Sequence, residues 1–326
     1  MKNQLYRYLQ LLLLFSLPFL LITACNTQVT PKADNPKTKL ATSNCRMVVH
    51  QLGKTCAPLQ SQRIIVTDEI ALDAVLGLGL KPVATAEPNS AGSRGRQLKG
   101  KIEGVASLGK GSQINIEKMV ELNPDLIVGY FMNSQKYQLF SQIAPTVKPE
   151  LKYLKGTWKD SLLEVASTLN KTEQAEIAII NYQKRIEKLR KAIEQRFGKV
   201  EVSVIRFYAG GAVKFNTIFS FASSIFEEVG ISAPPQQLPF ATNEDRFAVP
   251  ISLERIDLVD ADVLFVMLDP DSEDNFKRYQ SSPLWKKLNV VKNNRVYTVD
   301  SGYWYLGNIL AANAILDDLE KYLLGN

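Results

Sequence analysis

Four arginines and a set of large aromatic residues are the side chains of this sequence best suited to holding a ligand. Arg206 closes an apolar run in which alternation places Val202, Val204 and Arg206 on one face and Ser203, Ile205 and Phe207 on the other. A charge continuing an apolar face is costly to bury, so Arg206 is expected to emerge at the strand end, beside a cleft. Its guanidinium would offer a planar donor fork to carboxylate, hydroxamate or catecholate oxygens. Arg94 and Arg96 stand in a basic loop rich in small residues, and Arg246 follows the polar stretch 243–245. Tyr130, Trp158, Tyr208 and Trp304 lie near predicted strand ends or loops, as do Phe131, Tyr153, Phe247, Tyr303 and Tyr305. Large rings can bracket a bound group with little loss of conformational freedom. Some of these rings are expected to face a ligand and the others to fill the core.

A second group of residues is set apart by repetition. The segment Ile114–Val128 aligns without gaps to Ile251–Phe265, so that Glu117 falls on Glu254, Lys118 on Arg255 and Asp125 on Asp262. Each copy reads as a capped helix start (Asn115, Ser252), one short helix, a turn and a buried strand. An acid in the first turn of a helix is favoured by the macrodipole alone. The same acid at the same place in two copies is also what a two-point contact with a partner requires.

Other chemistries lack their parts. His50 is the one histidine in 326 residues, which disfavours His-rich zinc or copper sites. No Walker-type phosphate loop and no Gly-x-Ser-x-Gly turn occurs, so no enzyme is expected. The net charge of +6 includes Lys2 and Arg7 and otherwise spreads along the chain. No basic block interleaved with aromatics marks a nucleic-acid surface. A composition of 45% hydrophobic and 22% charged residues is that of a globular protein long enough for two domains.

The N-terminus has the pattern of an export signal. Met1–Gln10 carries two positive charges, and the apolar run Leu11–Ile22 contains Pro18 and is short for a bilayer span. The sequence Ile22-Thr23-Ala24-Cys25 that follows resembles the lipobox of bacterial lipoproteins, with Cys25 as the acylated residue. Residues 25–42, rich in Thr, Pro, Lys and Asn, read as a flexible tether. Cys45 and Cys56 flank a turn-like segment, and an oxidising space favours a disulfide between them. A metal or redox pair is the alternative, but the spacing fits no common metal motif.

Strands and helices alternate on either side of a long helical stretch. Strands are predicted at Arg63–Thr67, Pro82–Ala86 and Asp125–Tyr130, with helices over Glu69–Leu78 and Asn115–Leu122. The second half repeats the style with strands at Val200–Phe207, Asp262–Leu268 and Arg295–Val299 and a closing helix over Tyr305–Leu324. Between them Lys159–Phe197 has no Gly or Pro and carries apolar residues at helical spacing, Ile177, Ile180 and Ile186 among them; Asn170-Lys171-Thr172 is a possible break. The expected fold is α/β: a signal at 1–24, a tether at 25–42, a lobe at 43–158, a bridging helix at 159–197 and a second lobe at 198–326. A cleft between two such lobes is where a small ligand binds.

The lipobox, the segment Gly53–Pro58 before Arg63-Ile64-Ile65-Val66, the phrase from Leu76 to Val83, the repeat and the ending from Leu284 to Tyr297 together resemble one family. It is the iron–siderophore substrate-binding lipoproteins of ABC importers, a group that also includes vitamin B12 and haem binders. The resemblance covers residues 45–326. It implies two Rossmann-like lobes bridged by a rigid helix, with a ferric siderophore as transported ligand, iron held by the chelator and no cofactor. It implies Glu117 and Glu254 as the residues that dock onto ABC permease subunits, and Arg206 as a ligand-binding arginine beside Arg94, Arg96 and Arg246. The protein is then expected to be a monomer, exported and lipid-anchored, facing the periplasm or cell exterior, with no nucleic-acid partner. Haem or vitamin B12 binding is the alternative within the class, and a structural lipoprotein the alternative outside it.

Overall fold

A disulfide-closed hairpin leads into the fold of the computed structural model, which describes residues 45–88, 94–151, 158–243 and 246–325. The expected signal, Cys25, the tether and Tyr153 lie outside these residues. Strands β1 (Cys45–His50) and β2 (Gly53–Pro58) pair antiparallel, with Met47 opposite Cys56. Cys45 and Cys56 are bonded, their Cα atoms 5.5 Å apart.

The first lobe is a parallel sheet in the order β5-β4-β3-β6-β7. β3 (Ile64–Val66) is its centre, three apolar residues buried on both faces as a parallel strand requires. Helix α1 (Glu69–Gly77) starts at Asp68, whose carboxylate accepts from the Ala71 N–H at 3.0 Å. There follow β4 (Ala84–Glu87), β5 (Ala106–Lys110), α2 (Ile116–Glu121), β6 (Leu126–Val128), α3 (Ser134–Ser141) and β7 (Thr146–Val147).

Two helices, not one, make the bridge. α4 (Trp158–Leu169) and α5 (Thr172–Phe197) meet at Asn170, whose φ of 56° cannot continue a right-handed helix. Arg46 caps the end of α4 by donating to the Thr168 carbonyl and to Asn170 Oδ1. Tyr182, Ile186, Leu189 and Ile193 of α5 face the core, whereas Ile177 and Ile180 stand half exposed at 51% and 50%. At 26 residues α5 is about 39 Å long.

The second lobe is mixed, in the order β10-β9-β8-β11-β12. β8 (Val202–Phe207) turns back into the antiparallel β9 (Val213–Asn216), which leads to α6 (Phe221–Glu228) and to β10 (Ala248–Pro250), antiparallel to β9. β11 (Val263–Leu268) runs parallel to β8. After it come α7 (Glu273–Ser281), α8 (Pro283–Lys287), α9 (Asn289–Lys292) and β12 (Val296–Asp300), the last parallel to β11. The chain closes with α10 (Ser301–Trp304) and α11 (Ile309–Leu319), so the closing helix starts later than Tyr305.

The repeated sequences occupy equivalent places. Asp125 accepts the N–H groups of Gln62 and Arg63 ahead of β3, and Asp262 accepts that of Glu201 ahead of β8. Asn115 caps α2 by accepting from the Lys118 N–H at 2.9 Å. Ser252 makes no such cap; its side chain bonds Glu254 instead, and Leu253–Val259 forms kinked 3-10 turns. Both lobes lie within one compact unit, Asn44–Asn326. The second lobe's last helix packs on the first lobe's first helix, with Asp73 of α1 accepting the Leu310 and Ala311 N–H groups at 2.9 Å.

Candidate ligand groove

The central strand of each lobe ends in a different kind of chemistry, and the candidate site lies beyond the end of the second lobe's strand. In the second lobe, residues alternate along β8 as expected: Val202 and Val204 pack toward the bridging helices, Ile205 and Phe207 toward the opposite core. Arg206 is nevertheless 1% exposed. Its fork closes on Asp269, just beyond β11, with Nε–Oδ1 at 2.8 Å and Nη2–Oδ2 at 2.9 Å. The guanidinium is also sandwiched between the rings of Tyr208 and Tyr305, 4.2 Å and 4.1 Å from their centroids. Arg206 therefore lies beneath the groove surface. A buried charge must be paired, and Asp269 takes the donor fork that was expected to meet a ligand.

What faces outward is the layer above Arg206. A cavity of about 490 Å³ is lined by Tyr208, Tyr305, Phe247, Lys214, Arg246 and Asn243, together with Thr242 and Ala248. Phe247 meets Tyr305 edge-on at 6.1 Å, and Lys214 Nζ lies 5.3 Å from the Tyr208 ring centroid. Burial pushes the Tyr208 phenol up to about 12 against the lowering pull of Arg206, so it stays a neutral donor. Burial raises Tyr305 likewise. Two cations and three rings around a mainly apolar cavity suit an oxygen-rich anion with a large, flat exterior.

The cavity lining comes from the second lobe, and the first lobe approaches it at Glu69. Glu69, the first residue of α1, is buried and acts on the Tyr305 phenol across the junction between lobes. Arg94 is half-buried and donates to the Ala86 carbonyl at 3.1 Å. Burial lowers its pKa, against the pull of the Glu87 and Glu69 carboxylates.

Several expected contacts are elsewhere. Tyr130 is buried, its hydroxyl donating to the Ser161 carbonyl at 3.0 Å. Trp158 is a core residue, edge-on to Tyr182 with centroids 5.0 Å apart. Trp304 is wholly buried against Phe265 and donates to Asp318 at 2.8 Å. Large rings beside strand ends are drawn into the core wherever helices cover those ends. Arg96 turns away from the cavity, pairing with Asp318 and donating to the Tyr303 hydroxyl at 2.7 Å. Lys214 was overlooked in the sequence, although Ala209-Gly210-Gly211 between two apolar runs is a hairpin signal that would have placed it.

Glu117 and Glu254 are both exposed. Ile251, just before the second copy, bonds Val213 beside the carboxyl end of β8, and Asn115 bonds Leu108 near the end of β5. Both glutamates thus stand at the carboxyl edge of their sheets, the edge that carries the groove. Ser252 and Arg278 hold the Glu254 carboxyl below the usual range.

The chain has relatives among known proteins. The chain is 32% identical to the probable siderophore-binding lipoprotein YfiY of Bacillus subtilis, over 98% of both chains. It is 30% identical to the achromobactin-binding periplasmic protein of Dickeya dadantii, covering 80% of this chain and 86% of that one. The fold matches Staphylococcus aureus SirA complexed with staphyloferrin B at a TM-score of 0.74 and 24% identity, covering 86% of this chain and 98% of that chain. The model of the periplasmic binding protein family matches residues 64–303, and the chain belongs to that family.

Proposed function

We propose that this protein is the solute-binding component of an ABC importer, which captures a ferric siderophore outside the plasma membrane and delivers it to the permease. The observation that carries this reading is the convergence of Lys214 and Arg246 with Tyr208, Tyr305 and Phe247 on one cavity. The cations match the anionic oxygens of an iron chelate, and the rings cover its apolar outline. The ligands named for its relatives, a siderophore and achromobactin, support the same ligand class.

Intrinsic fluorescence tests it, since Tyr208 and Tyr305 line the cavity. Titration with ferric citrate, ferric hydroxamates, ferric catecholates, haem and cobalamin is expected to give saturable quenching with a ferric chelate. Silence with every ferric chelate defeats the reading.

In this proposal Cys25 carries the lipid and Glu117 and Glu254 meet the permease, while the body acts as a monomer. Cys25→Ser is expected to move the protein from the membrane fraction to the soluble one. Wild-type retention on membranes in that variant removes the anchor from the proposal.

A further inference from the structure

Two glycines far apart in sequence meet where the lobes touch. Gly95 and Gly302 bring the backbones of the two lobes into contact: a Cβ on Gly302 would stand 2.4 Å from the Gly95 nitrogen and 2.5 Å from its Cα. Asp300 bridges the same point, one carboxylate oxygen accepting the Gly302 N–H at 2.8 Å and the other the Arg96 N–H at 2.9 Å. The Arg96 side chain then reaches along the outside of the junction. Its Nε donates to the Tyr303 hydroxyl at 2.7 Å, and its Nη2 pairs with Asp318. Asp318, with a side chain 3% exposed, also accepts from the Tyr303 hydroxyl and from Trp304 Nε1.

This contact is close in sequence to the cavity and to the first-lobe residues beside it. Arg94, which faces the Glu69 and Glu87 carboxylates, is one residue before Gly95. Tyr305, the ring that covers Arg206, is one residue after Trp304. We infer that Arg96 is a positioning residue: its hold on Tyr303 and Asp318 sets how closely the first lobe, at Glu69, approaches Tyr305, and hence the size of chelate admitted. The inference rests on the groove being the ligand site, but its first test does not.

Spin labels on Glu121→Cys and Lys287→Cys, one exposed residue in each lobe, report the interlobe distance by pulsed dipolar spectroscopy. A Cys25→Ser background leaves only the introduced thiols free. The ligand-free protein is expected to show one narrow distance, and Arg96→Ala a broadened distribution with a longer component. Arg96→Lys retains a cation for Asp318 and is expected to fall between them. Gly302→Ala is expected to shift the whole distribution outward, because its new methyl group has no room. Ferric citrate, added as probe, is expected to bind Arg96→Ala about tenfold more weakly or worse, through faster dissociation. An unchanged distance distribution in Arg96→Ala, even with a lowered melting temperature, overturns the inference and leaves Arg96 a structural residue. If ferric citrate fails to bind the unaltered protein, that chelate is lost from the functional reading, while the distance measurement still decides the role of Arg96.

Discussion

The two lobes share a repeated segment and a five-stranded sheet, yet they satisfy their buried acids in opposite ways. In the first lobe Asp68 accepts the N–H groups of Ala71, Tyr130 and Phe131, and Asp73 those of Leu310 and Ala311. In the second lobe Asp269 meets Arg206 and Asp318 meets Arg96. Backbone partners fix an acid's position without bringing a countercharge. Arginine partners bring the charge, and here also two aromatic rings stacked on it. The strand ends therefore carry a hydrogen-bonded turn in one lobe and an aromatic platform flanked by cations in the other. A duplicated design can evolve two unlike faces because strand ends are free to differ while the cores must pack alike.

The comparison breaks most readily at the buried pair. Asp269→Ala removes the carboxylate that faces the buried Arg206 and is expected to cost about 3–5 kcal/mol of stability. Asp68→Ala orphans three backbone N–H groups and the Thr67 hydroxyl but no charge of its own network, and is expected to cost about 1–3 kcal/mol. Denaturant midpoints of the two variants give the ranking. Equal losses mean that the arginine pair is not the costlier arrangement to break.

Titration separates the lobes further. Burial raises Asp73 from 3.8 to about 7, outweighing the lowering effect of its hydrogen bonds. A raised folded pKa means that the folded state holds its proton more tightly than the unfolded chain. Stability from this residue is complete below about pH 4 and is lost as pH rises toward 7, by about 4 kcal/mol at most. Asp73→Asn is expected to flatten that fall over pH 4–7, measured as unfolding free energy against pH. Parallel profiles in the two proteins place the Asp73 titration at its unfolded value.

Ligand affinity should follow the second lobe. Arg246→Ala and Lys214→Ala are each expected to weaken an anionic ferric chelate about ten- to a hundredfold, the loss of a charged hydrogen bond of about 1.5–3 kcal/mol. Arg94 lies among Glu69 and Glu87, so Arg94→Ala is expected to lose less. A larger loss for Arg94 moves the main anchor to the first lobe.

Much of this was legible in the sequence, and the failures share a cause. The strand–helix alternation, the repeat and the Asn170 break follow from local pattern, and each is present. The alternation along β8 was correctly read as far as Phe207. What it could not contain was Asp269, sixty-three positions later, which reaches Arg206 only because β11 lies beside β8. Arg96 was misplaced for the same reason: Asp318 is 222 positions away. Trp158, Trp304 and Tyr130 were read as groove rings because they stand near strand ends. Whether a ring at a strand end faces solvent depends on the helix that covers it, and that is a tertiary fact.

The smallest single effects are expected where the lobes are most alike. Glu117 and Glu254 occupy the same place in the repeat, are exposed, and stand on the groove edge. If they meet the permease, neither touches the ligand, so Glu117→Ala and Glu254→Ala are expected to leave chelate affinity unchanged. One exposed ion pair contributes only about 0–1 kcal/mol, so each single variant is expected to reduce uptake in cells modestly. The two lobes are joined by the bridging helices and the Asp73 contact and carry both acids, which makes the second contact effectively intramolecular once the first has formed. Losing one anchor leaves the other, whereas losing both removes that advantage too. The double variant is therefore expected to import far less chelate than the two single losses combined would give. Normal import by the double variant means that the two acids serve only the first turns of their helices.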